Sequence, residues 1–361
     1  MNKSMYDKLK LQTIGMDCFY ESISTSINYL GMDYLALLYT IYNLFYNYND
    51  FINISIDRSP EEYLCTGNKL MFNIRPLTWL KYIYGEYFYN NTEDMDLFKY
   101  LKDIKSTKAN KDFLIELKSK YLDSDISVMI PISAAKLKQE YLNIGGDDVL
   151  GDNSFHYINL IDVNEEYCTI VDTNFKVKGE ISTNSFINSL GFSNNLLFKY
   201  IDPAIKNCEI GLIKLLKNNL KNAISSIVNI DGKKYNNNIE ALKSLINDLP
   251  QIIDVFESTY GIYAPQFLSL SFMPQRHIIR SCGYLYSNLY NECKMELLKE
   301  IGNLSSYSGD LWFNFDHVLD KTFLKNEKLT QKKDNLCIIL NKILENDKKT
   351  IETMSELYNK L

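Results

Sequence analysis

Apolar residues repeat at helical spacing near the N-terminus, where they predict an amphipathic helix from Cys18 to about Leu30. The residues of this repeat lie three or four positions apart: Phe19, Ile23, Ile27 and Leu30. Asp17 can cap the start of the helix, and Gly31 can end it. The pattern therefore predicts one short helix with a cysteine at its first position.

Short apolar runs bounded by polar turns follow in the middle of the chain, and such runs are typical of β-strands. Residues 126–132 form one run, which predicts a buried strand. The runs 155–163 and 167–173 flank a polar turn at 164–166, which predicts an antiparallel hairpin. The first part of the chain is therefore expected to be an α+β domain with an antiparallel sheet.

After Tyr200 the strand signals fade and helical periodicity takes over. Residues 229–238 contain four Asn and two Lys together with Asp231 and Gly232, which predicts a loop. Pro203 follows Asp202, a typical N-cap residue, so we place a domain boundary there. The prediction is one domain at 1–202 and an all-α domain at 203–361. The predicted helices lie near 204–228, 239–259, 275–303, 307–325 and 331–361.

Composition narrows the functional classes. The 361 residues are 46% hydrophobic, enough for two buried cores, and the net charge of −6 argues against nucleic acid as the main partner. The most apolar stretch, 34–45, is too short to cross a membrane. The seven cysteines are scattered without a CxxC pair, and no secretory segment follows Met1. We therefore expect reduced thiols in a cytoplasmic protein, with no zinc, phosphate-loop or dinucleotide motif.

Cys18 is a candidate nucleophile because of its place at the start of a helix. A thiol in the first helical turn lies at the positive end of the helix dipole, which favours the reactive thiolate. Gln12, six residues earlier, can donate its amide to an oxyanion together with the Cys18 backbone N–H. The alternative is that Cys18 is a small buried core residue.

His156 and Asp172 supply the remaining parts of a cysteine-based site. Folding the predicted hairpin about Asn164 brings these two residues opposite each other within one residue of register. The carboxylate would then orient the imidazole, which would accept the thiol proton. Taken singly, His156 is typical of a strand histidine and Asp172 of a turn residue. Together with Cys18 they predict catalysis.

The order of these residues resembles the papain-like cysteine peptidase superfamily in its bacterial, double-glycine-peptidase-like form. Within it the chain is most similar to the family of butirosin biosynthesis protein H, which joins a papain-like domain to a helical C-terminal domain. Two departures concern turns: Thr173 stands where a proline often follows the Asp, and Ile161-Asp162 stands where a glycine often closes the histidine strand. The residues that carry the resemblance are Gln12, Cys18, His156, Asp172, 280–286 and 310–312.

The resemblance implies an acyltransferase of natural-product biosynthesis. Cys18 would take an acyl group from the thioester of an acyl carrier protein and pass it to an amine, free or carrier-bound, without ATP. No metal or cofactor is implied, because phosphopantetheine enters only as part of the carrier substrate. Similar amide synthases occur in closthioamide-type nonribosomal-peptide pathways. The alternatives are a cysteine peptidase or hydrolase with the same residues, and a non-enzymatic module in which Cys18 is merely buried.

Basic side chains in the C-terminal half have two interpretations each. Lys214, Lys217 and Lys221 fall on one helix face and could dock an acidic carrier, although a solvated face is the default. The second group, Arg276 and Arg280, could hold a phosphate or could form salt bridges. The remaining histidines, at positions 277 and 317, are interpreted as structural.

Overall fold

The computed structural model describes residues 6–7, 9, 18–31, 44–49, 51–52, 100–106, 110–146, 155–190, 196–207, 212–230 and 233–361. These residues belong to two compact units. One unit contains the described residues up to position 31 and those of 100–207. The other contains those of 44–52 and everything from position 212 onwards. Residues 44–52 thus contact the C-terminal unit, although they lie within the predicted domain 1–202.

The described helices and strands are numbered in chain order. The helices are α1 Cys18–Tyr29, α2 Lys111–Lys120, α3 Lys138–Asn143, α4 Thr183–Ser189, α5 Leu212–Ile224, α6 Asn238–Tyr260, α7 Ala264–Cys293, α8 Glu296–Leu324 and α9 Lys333–Lys360. The strands are β1 Phe45–Tyr46, β2 Leu101–Ser106, β3 Val128–Ser133, β4 Phe155–Val163, β5 Tyr167–Asp172, β6 Val177–Ser182, β7 Leu196–Ile201, β8 Ile227–Ile230 and β9 Lys233–Asn237.

A six-stranded antiparallel sheet forms the centre of the first unit, in the order β2-β7-β3-β4-β5-β6. Its main hydrophobic core includes residues of β3, β4 and β5 together with Leu114 of α2, Tyr141 of α3 and Phe186 of α4. A smaller cluster joins Tyr29 of α1 to Ile161 and Val171. The predicted α+β class with an antiparallel sheet is therefore confirmed.

The predicted strands and the first helix lie close to where the sequence put them. The run 155–163 is β4, the run 167–173 gives β5, and the run 126–132 corresponds to β3, which is buried along its whole length. Helix α1 begins at Cys18, as predicted. It ends before Gly31, whose positive φ of 78° is easily adopted by glycine.

The register of the β4–β5 hairpin differs from the prediction. Val163 pairs with Cys168, so the turn is centred between Glu165 and Glu166 rather than at Asn164. Asn164 instead starts the turn, and its side chain accepts the backbone N–H groups of the third and fourth turn residues at 2.8 and 2.7 Å. The predicted pairing of positions 156 and 172 within one residue is therefore wrong.

A β-bulge between Leu160 and Asp162 shifts the ladder by one residue back towards the predicted register, and beyond it Asn159 pairs with Val171. Continuing this register sets Asp172 opposite position 158, two residues from His156. A two-residue offset keeps both side chains on the same face of the sheet, because strand side chains alternate with period two. The two predicted residues therefore still meet.

The second unit combines α5 to α9 with a small antiparallel sheet in the order β1-β9-β8. Residues 44–46 reach it through Leu44, which exchanges two hydrogen bonds with Asn238 at 2.8 and 2.9 Å. Tyr46 donates its hydroxyl to Asp248 of α6 at 3.0 Å. These contacts explain why a segment from the first half of the chain belongs to the helical unit.

Two C-terminal predictions are wrong. The predicted loop 229–238 contains most of the β8–β9 hairpin, because β9 gains the distant β1 as a neighbour. The predicted break between helices near 304–306 lies instead at 294–295, where Lys294 takes the left-handed conformation with φ 56°. The local sequence pattern does not reveal that a strand from far away in the chain pairs with β9. It also does not reveal a turn at Lys294, because lysine is not a typical turn residue.

Helices α7 and α8 pack with their backbones in close contact, since each presents a glycine to the other. A methyl group on Gly283 would lie 2.7 Å from the backbone nitrogen of Ser306, and one on Gly302 would lie 3.0 Å from that of Ser287. Larger residues would force the helices apart. Among the described helices, none combines the length and apolar character needed to cross a membrane.

Candidate active site

Cys18 is the first residue of α1, and its thiol is free and partly exposed. The helix is held to the sheet by Asn159 of β4, whose side chain donates to the Ser22 carbonyl at 3.0 Å and to the Ser26 hydroxyl at 2.7 Å. Ser127 donates to the same Ser26 hydroxyl at 2.9 Å. These buried hydrogen bonds position the helix that carries the thiol.

His156 and Asp172 form a buried pair beside this helix. His156 Nε2 lies 2.8 Å from Asp172 Oδ2, and their side chains are only 7% and 1% exposed. The carboxylate therefore accepts the proton on Nε2 and orients the ring. This leaves Nδ1 as the ring nitrogen that can exchange a proton with another group.

That other group is the thiol of Cys18, which is hydrogen-bonded to the His156 side chain. Burial lowers the pKa of His156, but the charges of Asp172 and Cys18 and their hydrogen bonds outweigh it and raise the pKa to about 10. At neutral pH the raised pKa favours the imidazolium form of His156 beside the Cys18 sulfur. A positively charged imidazole next to a cysteine is the arrangement that activates a thiol as a nucleophile.

Four hydrogen-bond donors surround the Asp172 carboxylate. Besides His156, the hydroxyl of Tyr141 donates to Oδ2 at 2.9 Å, and the backbone N–H groups of Asn174 and Phe175 donate to Oδ1 at 3.1 and 3.3 Å. The neighbouring carboxylate and complete burial raise the pKa of Tyr141 well above its usual range, burial having the larger effect. Tyr141 therefore remains a neutral donor, and the four donors fix the orientation of the carboxylate.

The ring of Phe175 covers one side of the imidazole. Its centroid lies 4.9 Å from that of His156, with the two planes at 66°, so one ring meets the other edge-on. Tyr141 also contacts Phe175, with the centroids 5.9 Å apart and the planes at 55°. These aromatic contacts restrict the rotation of His156 and shield its bond to the carboxylate from water.

Three of the four predicted site residues meet in this arrangement: Cys18, His156 and Asp172. The fourth, Gln12, lies outside the described residues, as does Asp17, the predicted cap of α1. Tyr141 was missed, because it comes from a helix far from the motif and no local pattern marks it. Its only sequence signal is an aromatic residue within a short, mostly polar helical segment.

The other histidines and basic residues lie elsewhere. His317 is exposed on α8 and stacks on Phe313 at 6.4 Å. Arg280 is exposed on α7, but the side chains of Arg276 and His277 are outside the described part of the structure. On α5 of the second unit, Lys214 and Lys221 are exposed and Lys217 is partly exposed.

Cys18 differs from the other cysteines that the structure describes. Burial raises the pKa of Cys168 to about 12, and burial also raises the pKa of Cys282. Cys293 is exposed and Cys337 is partly exposed. Within the described ranges, no group of three or more His, Cys, Asp or Glu side chains is arranged to hold a metal ion. Among the described cysteines, the thiol–imidazole–carboxylate set is thus particular to Cys18.

Comparison with known proteins gives no functional assignment, so the assignment rests on the geometry of Cys18, His156 and Asp172. No protein-family model matches the chain, and no curated protein is significantly similar to it.

Proposed function

We propose that this chain is a papain-like cysteine acyltransferase that forms an amide from an acyl thioester. The observation that carries the proposal is the buried connection from Cys18 through His156 to Asp172, with a helix start at the thiol. The order of Gln12, Cys18, His156 and Asp172 in the chain resembles that of the butirosin biosynthesis protein H family, which also supports the proposal. The acyl donor that this resemblance implies is an acyl carrier protein.

In the first step the Cys18 thiolate attacks the thioester carbonyl of the donor. A new carbon–sulfur bond forms, the carbon–sulfur bond to the phosphopantetheine arm breaks, and the departing thiolate takes the proton from the His156 imidazolium. One thioester replaces another, so the exchange is nearly balanced in free energy. No nucleotide is consumed.

In the second step an amine attacks the acyl group on Cys18. His156, now neutral, accepts the amine proton through the nitrogen that faces the thiol, and Asp172 stabilises the imidazolium that forms. The bond from the acyl carbon to the Cys18 sulfur breaks, which restores the thiolate beside the imidazolium. Converting a thioester to an amide is energetically downhill, which drives the reaction forward.

Intact-protein mass spectrometry tests the covalent step. After mixing with acyl-carrier thioesters, the wild-type protein should gain the mass of the acyl group, and Cys18→Ala should not. Cys293→Ala is the matched control, since it removes an exposed thiol outside this site. Full acylation of Cys18→Ala would refute the assignment of the nucleophile.

The lifetime of the acyl-enzyme separates the transferase from a hydrolase with the same residues. A transferase should hold the acyl group in buffer and release it rapidly when the amine is added, because a pocket built for the amine gives water little advantage. Rapid release of free acid without an amine, or cleavage of ordinary peptides, would instead identify a hydrolase.

A further inference from the structure

A buried hydrogen bond joins the nucleophile helix to the turn that follows Asp172. The hydroxyl of Thr173 donates to Glu21 Oε2 at 3.2 Å, and the two residues are only 7% and 3% exposed. Thr173 stands at the position where the resembled family often has a proline. A proline has no hydroxyl, so this contact is a feature of the present chain.

Both ends of this bond are close in the chain to the reacting groups. Glu21 lies three residues after Cys18, about 4.5 Å further along the axis of α1 and therefore within its first turn. Thr173 directly follows Asp172, in a turn whose backbone N–H groups bind the same carboxylate. The bond therefore spans from the thiol end of the site to the carboxylate end.

Of the other polar contacts of α1 described above, the nearest to the thiol is at the Ser22 carbonyl, which accepts from Asn159 one residue beyond Glu21. Ser26, which accepts from both Asn159 and Ser127, is two helical turns beyond Cys18. Its contacts, with the apolar packing of Tyr29, hold the body of the helix to the sheet. The Thr173–Glu21 bond instead anchors the first turn.

We propose that Thr173 and Glu21 are positioning residues that set the distance between the Cys18 thiol and His156. The inference rests on the proposed role of Cys18 as nucleophile. Without the bond, the helix should stay attached through Ser22 and Ser26, while the residues before Ser22 should shift relative to the imidazole. Because proton exchange between the two side chains depends on their separation, the reactivity of the thiol should fall.

The test measures alkylation of Cys18 by iodoacetamide from pH 5 to pH 10 in the full-length protein, with peptide mapping to separate the cysteines. We expect Thr173→Val, which removes only the hydroxyl, to slow alkylation at pH 7 by about tenfold and to move the acidic limb of the profile to higher pH. Thr173→Ser should restore the wild-type profile.

Ser127→Ala is the matched control, since it removes a buried hydroxyl that bonds to the same helix two turns away. It should lower the thermal midpoint without moving the alkylation profile. A double variant, Thr173→Val with Glu21→Met, should react no more slowly than Glu21→Met alone, because the Thr173 hydroxyl then has no Glu21 carboxylate to bind.

A Thr173→Val profile that superposes on that of a reactive wild type would overturn this inference and leave the proposed function standing. A wild-type Cys18 that reacts no faster than the exposed Cys293 would instead refute thiol activation, and with it both proposals. Equal slowing by Ser127→Ala and Thr173→Val would show general helix docking rather than positioning.

Discussion

Two buried aspartates, one in each unit, have similar burial but different surroundings. Asp172 of the first unit is 3% exposed and accepts hydrogen bonds from His156, Tyr141 and two backbone N–H groups. Asp347 of the second unit is 2% exposed and accepts a hydrogen bond from Ser308. Asn346 donates to the same serine hydroxyl at 2.9 Å, which links α9 to α8.

The difference between these aspartates shows that a buried carboxylate by itself does not indicate catalysis. The bonds of Asp172 lead through a titratable imidazole to a thiol, so protonation at one end affects the other. The described bonds near Asp347 lead to a hydroxyl and an amide, neither of which titrates near neutral pH. We therefore expect Asp172 to control reactivity and Asp347 to control stability.

The largest expected effect comes from removing the imidazole itself. His156→Ala should lower the rate of acyl-enzyme formation by about a thousandfold or more, since the base and its contact to the thiol are both lost. His317→Ala is the control, because that histidine is exposed and stacks on Phe313. Single-turnover acylation measures the rate of both variants. A near-normal rate in His156→Ala would show that the imidazole linked to Asp172 does not control reactivity.

Exchanging each aspartate for asparagine tests the comparison directly. Asp172→Asn should slow turnover by about 10²-fold or more, because the amide cannot stabilise the imidazolium as the carboxylate does. Asp347→Asn should leave the rate unchanged and lower the free energy of unfolding by about 1–3 kcal/mol. Activity assays and urea unfolding of both variants check this, and equal loss of activity in the two would contradict it.

Disrupting the close packing of α8 against α7 should lower the free energy of unfolding about as much as losing the contact between α8 and Asp347. Gly302→Ala should destabilise the second unit by about 1–3 kcal/mol, since the added methyl group would meet the Ser287 backbone. Asn303→Ala, one residue further on and exposed, is the control. Both are compared by urea unfolding, and the rate of Cys18 alkylation should stay the same in both.

The stability that the His156 charge contributes should depend on pH. The pKa of His156 is raised to about 10 in the folded chain, against about 6.5 when unfolded, so protonation favours folding. This contribution is complete below pH 6.5 and decreases as the pH rises towards 10. The difference in unfolding free energy between wild type and His156→Gln should therefore shrink over that range, whereas that for Asp347→Asn should not follow this window.

The smallest expected effect is that of Tyr141→Phe. Asp172 keeps three donors in this variant, so turnover should fall by only about threefold to tenfold, with about 1 kcal/mol of stability lost. The pH–rate profile distinguishes this from a packing defect, because a carboxylate with one donor fewer changes the titration of His156. An unchanged profile would show that Tyr141 only fills space.

The sequence by itself determined the elements that depend on neighbouring residues. The helix that begins at Cys18, the strands that carry His156 and Asp172, and the helical character of most of the C-terminal half follow from local periodicity and turn residues. The sequence also indicated Cys18, His156 and Asp172 as candidate site residues, because their residue types and their order point to thiol chemistry. What that chemistry acts on stays a prediction.

Only the tertiary structure decided the contacts between distant segments. The bulge near Ile161, the hydroxyl of Tyr141 on Asp172, and the bond from Thr173 to Glu21 all depend on which segments meet in space. The same holds for β1 beside β9. Each of these features either joins residues that are far apart in the chain or shifts the register of a strand pair. Hydrophobic periodicity predicts neither, because it reports only which face of one element is buried.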